Sequence, residues 1–346
     1  MSFLASICPL ALLLWTASSA AGQTPAEAAK ANPAAKWTPP RTPDGQLDLQ
    51  GIWSSSTLTP FERPPELAGK QVLTQAEAAA YEKQLLQRGN RDIRGESADV
   101  DVAGAYNELW FDRGKKVVGS RRTSLIVDPP DGRVPPLTPE AQNKLDAARA
   151  YAKLHPADGP EDRPLAERCL LWPTAGPPML PGPYNNNYQI VQGPGYVVIL
   201  VEMIHDARVI PIDGRPHLPP SIRQWLGDPR GHWEGNTLVV ETTNFTDKTS
   251  DVGAGLRGPT FRGSDDRMRL IERFTRVDPN TIRYQFTVDD PTAFTKQWAA
   301  EIPMTRIPGP FLEYACHEGN YAMSGVLAGA RAEEKKAGEA ASTRSK

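Results

Sequence analysis

Apolar and polar residues alternate along much of the second half of the chain. The alternation is clearest in residues 270–277 and 282–288, and it is typical of strands that bury only one face. Turn residues such as Gly193-Pro194-Gly195 and Asp278-Pro279-Asn280 separate successive runs. The strand-like runs cover residues 188–192, 196–202, 208–212, 231–234, 237–243, 267–277, 281–289 and 297–303. This pattern predicts an antiparallel meander.

The number of predicted strands indicates whether the sheet is open or closed. About eight strands in succession favour a closed barrel or a sandwich, because an open sheet of that length leaves its edges unpaired. We therefore predict a mainly β fold over residues 188–327, either a lipocalin-like barrel or a sandwich, and the barrel is preferred.

The first half of the chain has a different pattern. Thr74 and Glu77 have the spacing of a capping box, which predicts a helix that ends near Arg88. Thr138 followed by Pro139 predicts the start of a second helix that runs toward Leu154. Short strand-like runs and Pro-rich stretches occupy the remainder. Residues 48–187 are therefore predicted to be an irregular and helical segment that wraps the β-domain.

Both ends of the chain differ from the middle. An apolar run over residues 7–15 precedes small residues, which predicts a secretory signal peptide over residues 1–21, although no Lys or Arg precedes the run. Residues 22–47 are rich in Ala and Pro and are predicted to be a disordered lead-in, and residues 328–346 a flexible tail. The protein is expected to be periplasmic or secreted, with no membrane span after signal cleavage.

Composition narrows the range of partners. The chain has 346 residues, with 39 Lys and Arg against 41 Asp and Glu, so it lacks the basic surface that nucleic acids or anionic membranes require. We expect a small-molecule ligand or substrate and no nucleic acid. The oligomeric state stays open.

Cysteine usage predicts a disulfide. Loss of the signal peptide removes Cys8 and leaves Cys169 and Cys316, an even pair in an oxidising compartment. The alternative is a reactive thiol at Cys316, beside His317 and Glu318. Because neighbouring residues of a strand point to opposite faces, this adjacency is weak support for a catalytic dyad, and the disulfide is favoured.

Four motifs carry a resemblance. They are YNNNYQIVQ (184–192), EMIHDAR (202–208), GHWEGNTLVVETTNF (231–245) and YACHEGNY (314–321). Together with residues 49–53, they resemble a large, mostly uncharacterised group of exported bacterial proteins. The resemblance implies a shared exported fold and assigns no catalytic residue.

The densest polar cluster follows the strand-like run 196–202. Histidine is a common general base in enzymes, so His205 could take that role, with Asp206 beside it and Arg208 holding an anionic group of a substrate. Under the alternative interpretation, Asp206 and Arg208 form a structural ion pair and His205 packs beside it. Sequence alone favours neither.

Two further clusters are candidates. His232 and Glu234 lie on one strand face and would form an acid–base pair if they faced a cavity, or a polar hairpin surface if they faced water. His317 and Glu318 would complete proton transfers, since a disulfide to Cys169 brings them toward residues 184–188. The predicted ligand-binding residues are Asn185, Asn186, Asn187, Tyr188, Trp233 and Asn320.

Cofactor motifs are missing from the sequence. No HExxH, paired CxxC, Gly-rich phosphate loop or Gly-x-Ser-x-Gly elbow occurs, so no cofactor is predicted, although the histidines and carboxylates supply the ligand types of a transition metal. The leading hypothesis is an exported lyase or hydrolase that acts by acid–base chemistry on a small polar or sugar-like molecule. The alternatives are a non-catalytic small-molecule-binding barrel and a structural envelope protein.

Overall fold

The computed structural model describes residues 37–93, 97–98, 107–248 and 266–344. Contacts divide the chain into two units, Met1–Trp37 and Thr38–Lys346, and every element below belongs to the second. The predicted signal peptide and residues 22–36 of the predicted lead-in lie outside the described residues.

Strands dominate the structure. They are β1 (Gly51–Ser54), β2 (Ile126–Asp128), β3 (Asn187–Gly193), β4 (Tyr196–Val201), β5 (Ala207–Pro211), β6 (Asp228–Glu234), β7 (Thr237–Thr243), β8 (Arg269–Asp278), β9 (Thr281–Asp289) and β10 (Trp298–Ile307). The helices are α1 (Gln75–Gly89), α2 (Pro139–Leu154) and α3 (Ala322–Arg344), with short 3₁₀ turns at Pro65–Leu67, Glu108–Trp110 and Pro160–Asp162. The prediction of a mainly β fold is confirmed.

All strands belong to one antiparallel sheet. Its order is β5-β4-β3-β1-β10-β9-β8-β7-β6, and β2 pairs with β10 beside this path. The ladder between β1 and β10 is short and joins Ile52 to Ile307, Trp53 to Arg306 and Ser54 to Thr305. The segment predicted to wrap the β-domain therefore supplies the strand that connects the two parts of the sheet.

Alternating burial confirms the pattern seen in the sequence. On β9, Ile282, Tyr284 and Phe286 are buried, whereas the residues between them face outward. The same alternation holds on β8, where one of the buried positions is Glu272. One face of the sheet thus encloses the hydrophobic core.

The closed barrel is not confirmed. Strands β5 and β6 end the path, and no ladder joins them within the described ranges. They nevertheless approach closely, because a Cβ atom on Gly231 of β6 would lie 2.7 Å from Ile212 Cγ2 and 2.9 Å from Ile210 Cγ2. The sheet curls until its two outer strands are packed by side chains and not by backbone hydrogen bonds.

The two predicted helices are confirmed together with their caps. At α1, Thr74 Oγ1 accepts from Glu77 N at 3.3 Å and Glu77 Oε2 accepts from Thr74 N at 2.8 Å, which is the reciprocal capping box. At α2, Thr138 Oγ1 accepts from Ala141 N at 3.1 Å, and Pro139 occupies the first turn.

Residues near both ends of the described chain contact the folded part. Leu47, assigned to the disordered lead-in, is fully buried in the core. The tail predicted from residue 328 lies in α3, where Arg331 donates to the backbone oxygens of Ala157 and Asp158 at 2.9 Å. Over the ranges that the structure describes, no helix combines the length and apolarity that a membrane crossing requires.

A charged pair lies inside the core. The guanidinium of Arg208 on β5 donates to both carboxylate oxygens of Glu272 on β8, one of them at 3.0 Å, and both side chains are almost inaccessible to water. Tyr284 donates its hydroxyl proton to Glu272 Oε1 at 2.8 Å and accepts from Met179 N at 3.1 Å. The pair crosses the interior, since β5 and β8 are not neighbours in the sheet.

Glu272→Gln should lower the free energy of unfolding by about 3 kcal/mol, because it leaves the Arg208 guanidinium buried without a counter-charge. The double variant Arg208→Met/Glu272→Leu should lose less than the sum of its single variants. Urea unfolding measures both. Glu167→Gln, in the exposed pair with Arg163, is the control and should change stability by under about 0.5 kcal/mol. Equal losses at Glu272 and Glu167 would contradict the prediction.

Gly231→Ala should destabilise the protein by about 1–3 kcal/mol, because the added methyl group overlaps the side chains of Ile210 and Ile212. Gly193 is the matched control: it also lies on a strand, and a Cβ atom there would contact nothing within 4 Å. Urea unfolding of both alanine variants makes the comparison. If Gly193→Ala costs as much as Gly231→Ala, close packing of β5 on β6 is not the cause.

Candidate functional site

The loop between β4 and β5 carries several of the candidate residues. Residues 202–206 form this loop, and its backbone is left-handed at Ile204 (φ 67°) and His205 (φ 46°). Residues 313–320 lie along it, since Tyr314 N donates to Glu202 O at 3.2 Å and Met203 forms a parallel bridge with Tyr314. Two regions that are far apart in sequence therefore meet here.

The predicted disulfide is present, and it crosslinks the segment of residues 313–320 to Cys169. Cys169 and Cys316 are bonded, with their Cα atoms 5.7 Å apart and a sequence separation of 147. Asn320 Nδ2 donates to Glu167 O at 2.8 Å, which ties the same segment down a second time. A disulfide of this kind is typical of proteins from oxidising compartments.

We use the name His205 cluster for His205, Asp206, Glu313, His317 and Glu318. The Nδ1 atom of His205 lies 3.3 Å from Tyr314 O, and its Nε2 atom lies 3.6 Å from Glu313 Oε1. One donor atom each from His205, Glu313 and Glu318 lies within 4.8 Å of the others. Burial raises the pKa of Asp206, and the nearby His205 and His317 oppose this shift.

This arrangement suits proton transfer. His205 is half-exposed and can reach a solute, and the carboxylates of Glu313 and Glu318 lie close to its imidazole. Because burial raises the pKa of Asp206, that carboxyl holds a proton more readily than an ordinary Asp. Imidazole and carboxylate are also ligand types that divalent transition metals accept.

A second cluster lies at the start of the same loop. We use the name Glu202 cluster for Glu202, Asn185, Asn187 and Asp112. Glu202 is 4% exposed and forms no ion pair in the described part of the chain, and its Oε2 accepts from Asn187 Nδ2 at 2.8 Å. Burial raises the pKa of Glu202, hydrogen bonds from Asn187 and Asn185 lower it, and the charge of Asp112 raises it.

A groove opens beside the Glu202 cluster. It encloses about 870 Å³ between residues 112–122 and the outer face of β1, β9 and β10. Asp112 and Asn187 belong both to its lining and to the Glu202 cluster. No histidine lines this groove. The groove and the His205 cluster therefore share no residue.

The structure brings together four of the seven predicted catalytic residues, His205, Asp206, His317 and Glu318. Arg208 is separated from them because its side chain points into the core and pairs with Glu272. The predicted role of Arg208 in holding a substrate anion is thus wrong, and so is the alternative ion pair with Asp206.

His232 and Glu234 lie elsewhere. Their side chains are 3.2 Å apart at the hairpin between β6 and β7, are 60% and 48% exposed, and Glu234 also pairs with Arg273. This is the polar hairpin surface of the alternative interpretation. Trp233, on the opposite face, packs against the core.

The predicted ligand-binding residues divide into structural and accessible positions. Asn186 is fully buried, accepts from Gly182 N at 2.7 Å and donates to Asp112 O at 2.6 Å. It therefore has a structural role, because it holds the segment of residues 182–186 against Asp112. Tyr188 is buried in the core, with its hydroxyl 3.4 Å from Ser55 Oγ. Asn187 lines the groove.

Sequence reasoning missed Glu202 and Asp112. Glu202 belongs to the EMIHDAR motif and directly follows the apolar run that became β4, so a carboxylate at the end of a buried strand was an available signal. Asp112 had no such signal, because its approach to Glu202 depends on the hydrogen bond from Asn186 to its backbone oxygen.

No protein-family model matches this chain, and neither curated proteins nor solved structures yield a match. The resemblance of the four motifs to exported bacterial proteins therefore stays a prediction.

Glu202→Gln should raise stability at neutral pH relative to the native protein, and the difference should vanish in acid. Burial raises the pKa of Glu202 in the folded state, so the carboxyl favours folding only while it is protonated. Its favourable contribution is full below the unfolded-state pKa and is lost as the pH rises through the folded-state pKa. Urea unfolding across this pH range tests the prediction.

The matched control is Glu333→Gln, at an exposed position of α3. It removes the same charge without altering a buried site. A stability difference for Glu202→Gln that is equally large in acid would show that packing, and not ionisation, is responsible.

Proposed function

We propose that this protein is an exported enzyme that acts by His and carboxylate acid–base chemistry, as a lyase or hydrolase on a small polar or sugar-like molecule. The observation that carries the proposal is the convergence of His205 and Asp206 with His317 and Glu318, from motifs more than 100 residues apart in sequence. Histidine and carboxylate side chains lie together around one half-exposed imidazole, and enzymes commonly use these groups for proton transfer.

The roles follow from exposure and charge. His205 acts as the base, since it is the half-exposed imidazole and the carboxylates of Glu313 and Glu318 lie close to it. In a lyase, His205 removes a proton from carbon and an acid protonates the leaving oxygen. In a hydrolase, it removes a proton from the attacking water. Asp206, whose pKa burial raises, and His317 are the candidate proton donors.

The disulfide between Cys169 and Cys316 supports a periplasmic or secreted location, where such bonds persist. We propose that the curled sheet serves as a barrel-like scaffold, with the loop of residues 202–206 at one end. The contact of Gly231 with Ile210 and Ile212 supports this shape, because it brings the outer strands together.

A non-catalytic small-molecule-binding protein is the second candidate. The groove favours it, because the cavity has the size of small-molecule sites and none of its lining residues is a histidine. A purely structural envelope protein gains no support, since such a protein needs no ligand-sized cavity and the groove has that size.

The test is an activity screen of the mature protein on polysaccharides and glycosides. Ultraviolet absorbance of a new double bond reports elimination, and new reducing ends report hydrolysis. His205→Gln and His317→Gln should each lower the observed activity by about a hundredfold or more, the range expected for loss of general acid–base catalysis. His155→Gln, in an exposed pair with Asp158, is the control and should retain activity.

Activity that survives in both the His205 and His317 variants would overturn the acid–base proposal. Ligand binding without either chemical signal would favour the second candidate.

A further inference from the structure

The groove is a preformed feature of the backbone. Lys116 O accepts from Leu58 N at 2.9 Å, and Val118 N donates to Thr59 Oγ1 at 2.9 Å. At Gly114 the backbone is left-handed (φ 79°), and a Cβ atom would lie 2.9 Å from Thr57 N. Only glycine suits this close approach. Residues 112–122 are thus fixed as one wall of the groove.

The charges along the groove are unevenly compensated. Arg122 pairs with Glu301, which also accepts from Gln285 Nε2 at 3.0 Å, so these two charges neutralise each other. By contrast, Lys115, Lys116 and Arg283 form no ion pair in the parts of the chain that the structure describes. The lysines lie on the wall of residues 112–122 and Arg283 lies on β9, so cations face the groove from two walls.

The acidic residues of the lining offset these cations only in part, because they are fewer. Asp278 belongs to the turn between β8 and β9, where its carboxylate accepts from Asn280 N at 2.8 Å. Asp112 is exposed and lies near Glu202, and desolvation raises its pKa. With Arg122 and Glu301 paired, three cations face two carboxylates, so the net charge of the lining is positive.

The remaining polar surface consists mostly of hydroxyl groups. They belong to Ser54, Ser56, Thr57, Ser120, Thr281 and Thr305. Hydroxyls both donate and accept hydrogen bonds. In addition, Asn187 Oδ1 is buried in the wall and has no donor among the residues described. Such a surface suits a ligand that carries hydroxyl groups of its own.

We propose that the groove binds a small anion that also carries hydroxyl groups, the chemistry shared by sugar acids and sugar phosphates. Its acidic group lies between Lys115 or Lys116 and Arg283, and its hydroxyls bond to the Ser and Thr side chains. The inference is independent of the acid–base proposal, because it involves none of the residues of the His205 cluster.

Binding is measured by isothermal titration calorimetry on the mature protein at low ionic strength. The ligands are the trimer of galacturonic acid, the same trimer with every carboxyl methyl-esterified, and glucose phosphate. The esterified trimer has the same sugar backbone without its charge, so it isolates the contribution of the anion. We expect at least one of the two anions to bind and the ester not to bind, and which anion binds identifies the acidic group.

Lys115→Gln/Lys116→Gln should weaken binding by about tenfold for each charge-assisted contact that is lost. Lys83→Gln/Lys153→Gln is the matched control: it removes the same net charge from the exposed faces of α1 and α2 and should leave binding unchanged. Thr305→Phe adds bulk on the groove face of β10 without changing charge and should abolish binding. Unfolding midpoints verify that each variant is folded.

Three results would overturn the proposal. The first is that neither anion binds. The second is that the esterified trimer binds as well as the acid. The third is that the two lysine pairs have equal effects, which would mean that the anion responds only to overall charge.

Discussion

The ion pair between Arg208 and Glu272 is the interaction on which the rest of the structure depends. Burying two charges is costly unless they meet each other and their remaining hydrogen-bonding positions are filled. Here Tyr284 donates to Glu272, and the same tyrosine accepts from Met179 N. Because β5 and β8 are far apart in the sheet order, the pair can form only if the sheet curls, so the fold and the satisfaction of these charges require each other.

The ion pair between Arg208 and Glu272 also helps to position the candidate sites. Arg208 lies two residues after Asp206, so fixing β5 also fixes the end of the loop that carries His205. The disulfide between the buried Cys169 and Cys316 brings residues 313–320 to the same loop. The charge pair and the disulfide thus both position this short segment, which carries several titratable groups.

Local patterns in the sequence predicted the local structure well. Alternation located the strands, capping residues located α1 and α2, and cysteine parity gave the disulfide. The sequence could not show the pairing of β1 between β3 and β10, because such contacts have no local signature. Strand alternation also failed to assign Arg208 to the core, since a strongly polar residue is expected outside unless its buried partner is known. Glu272 supplies that partner 64 residues later.

The short ladder between β1 and β10 has a consequence for how the chain folds. On one side of it, β3, β4 and β5 form a local meander, and on the other side β6 to β10 form a second one. Each meander contains contacts between residues close in sequence, which form fast, whereas the joint requires residues 52–54 to find residues 305–307. The protein is therefore expected to assemble as two half-sheets, with their docking as the slow step.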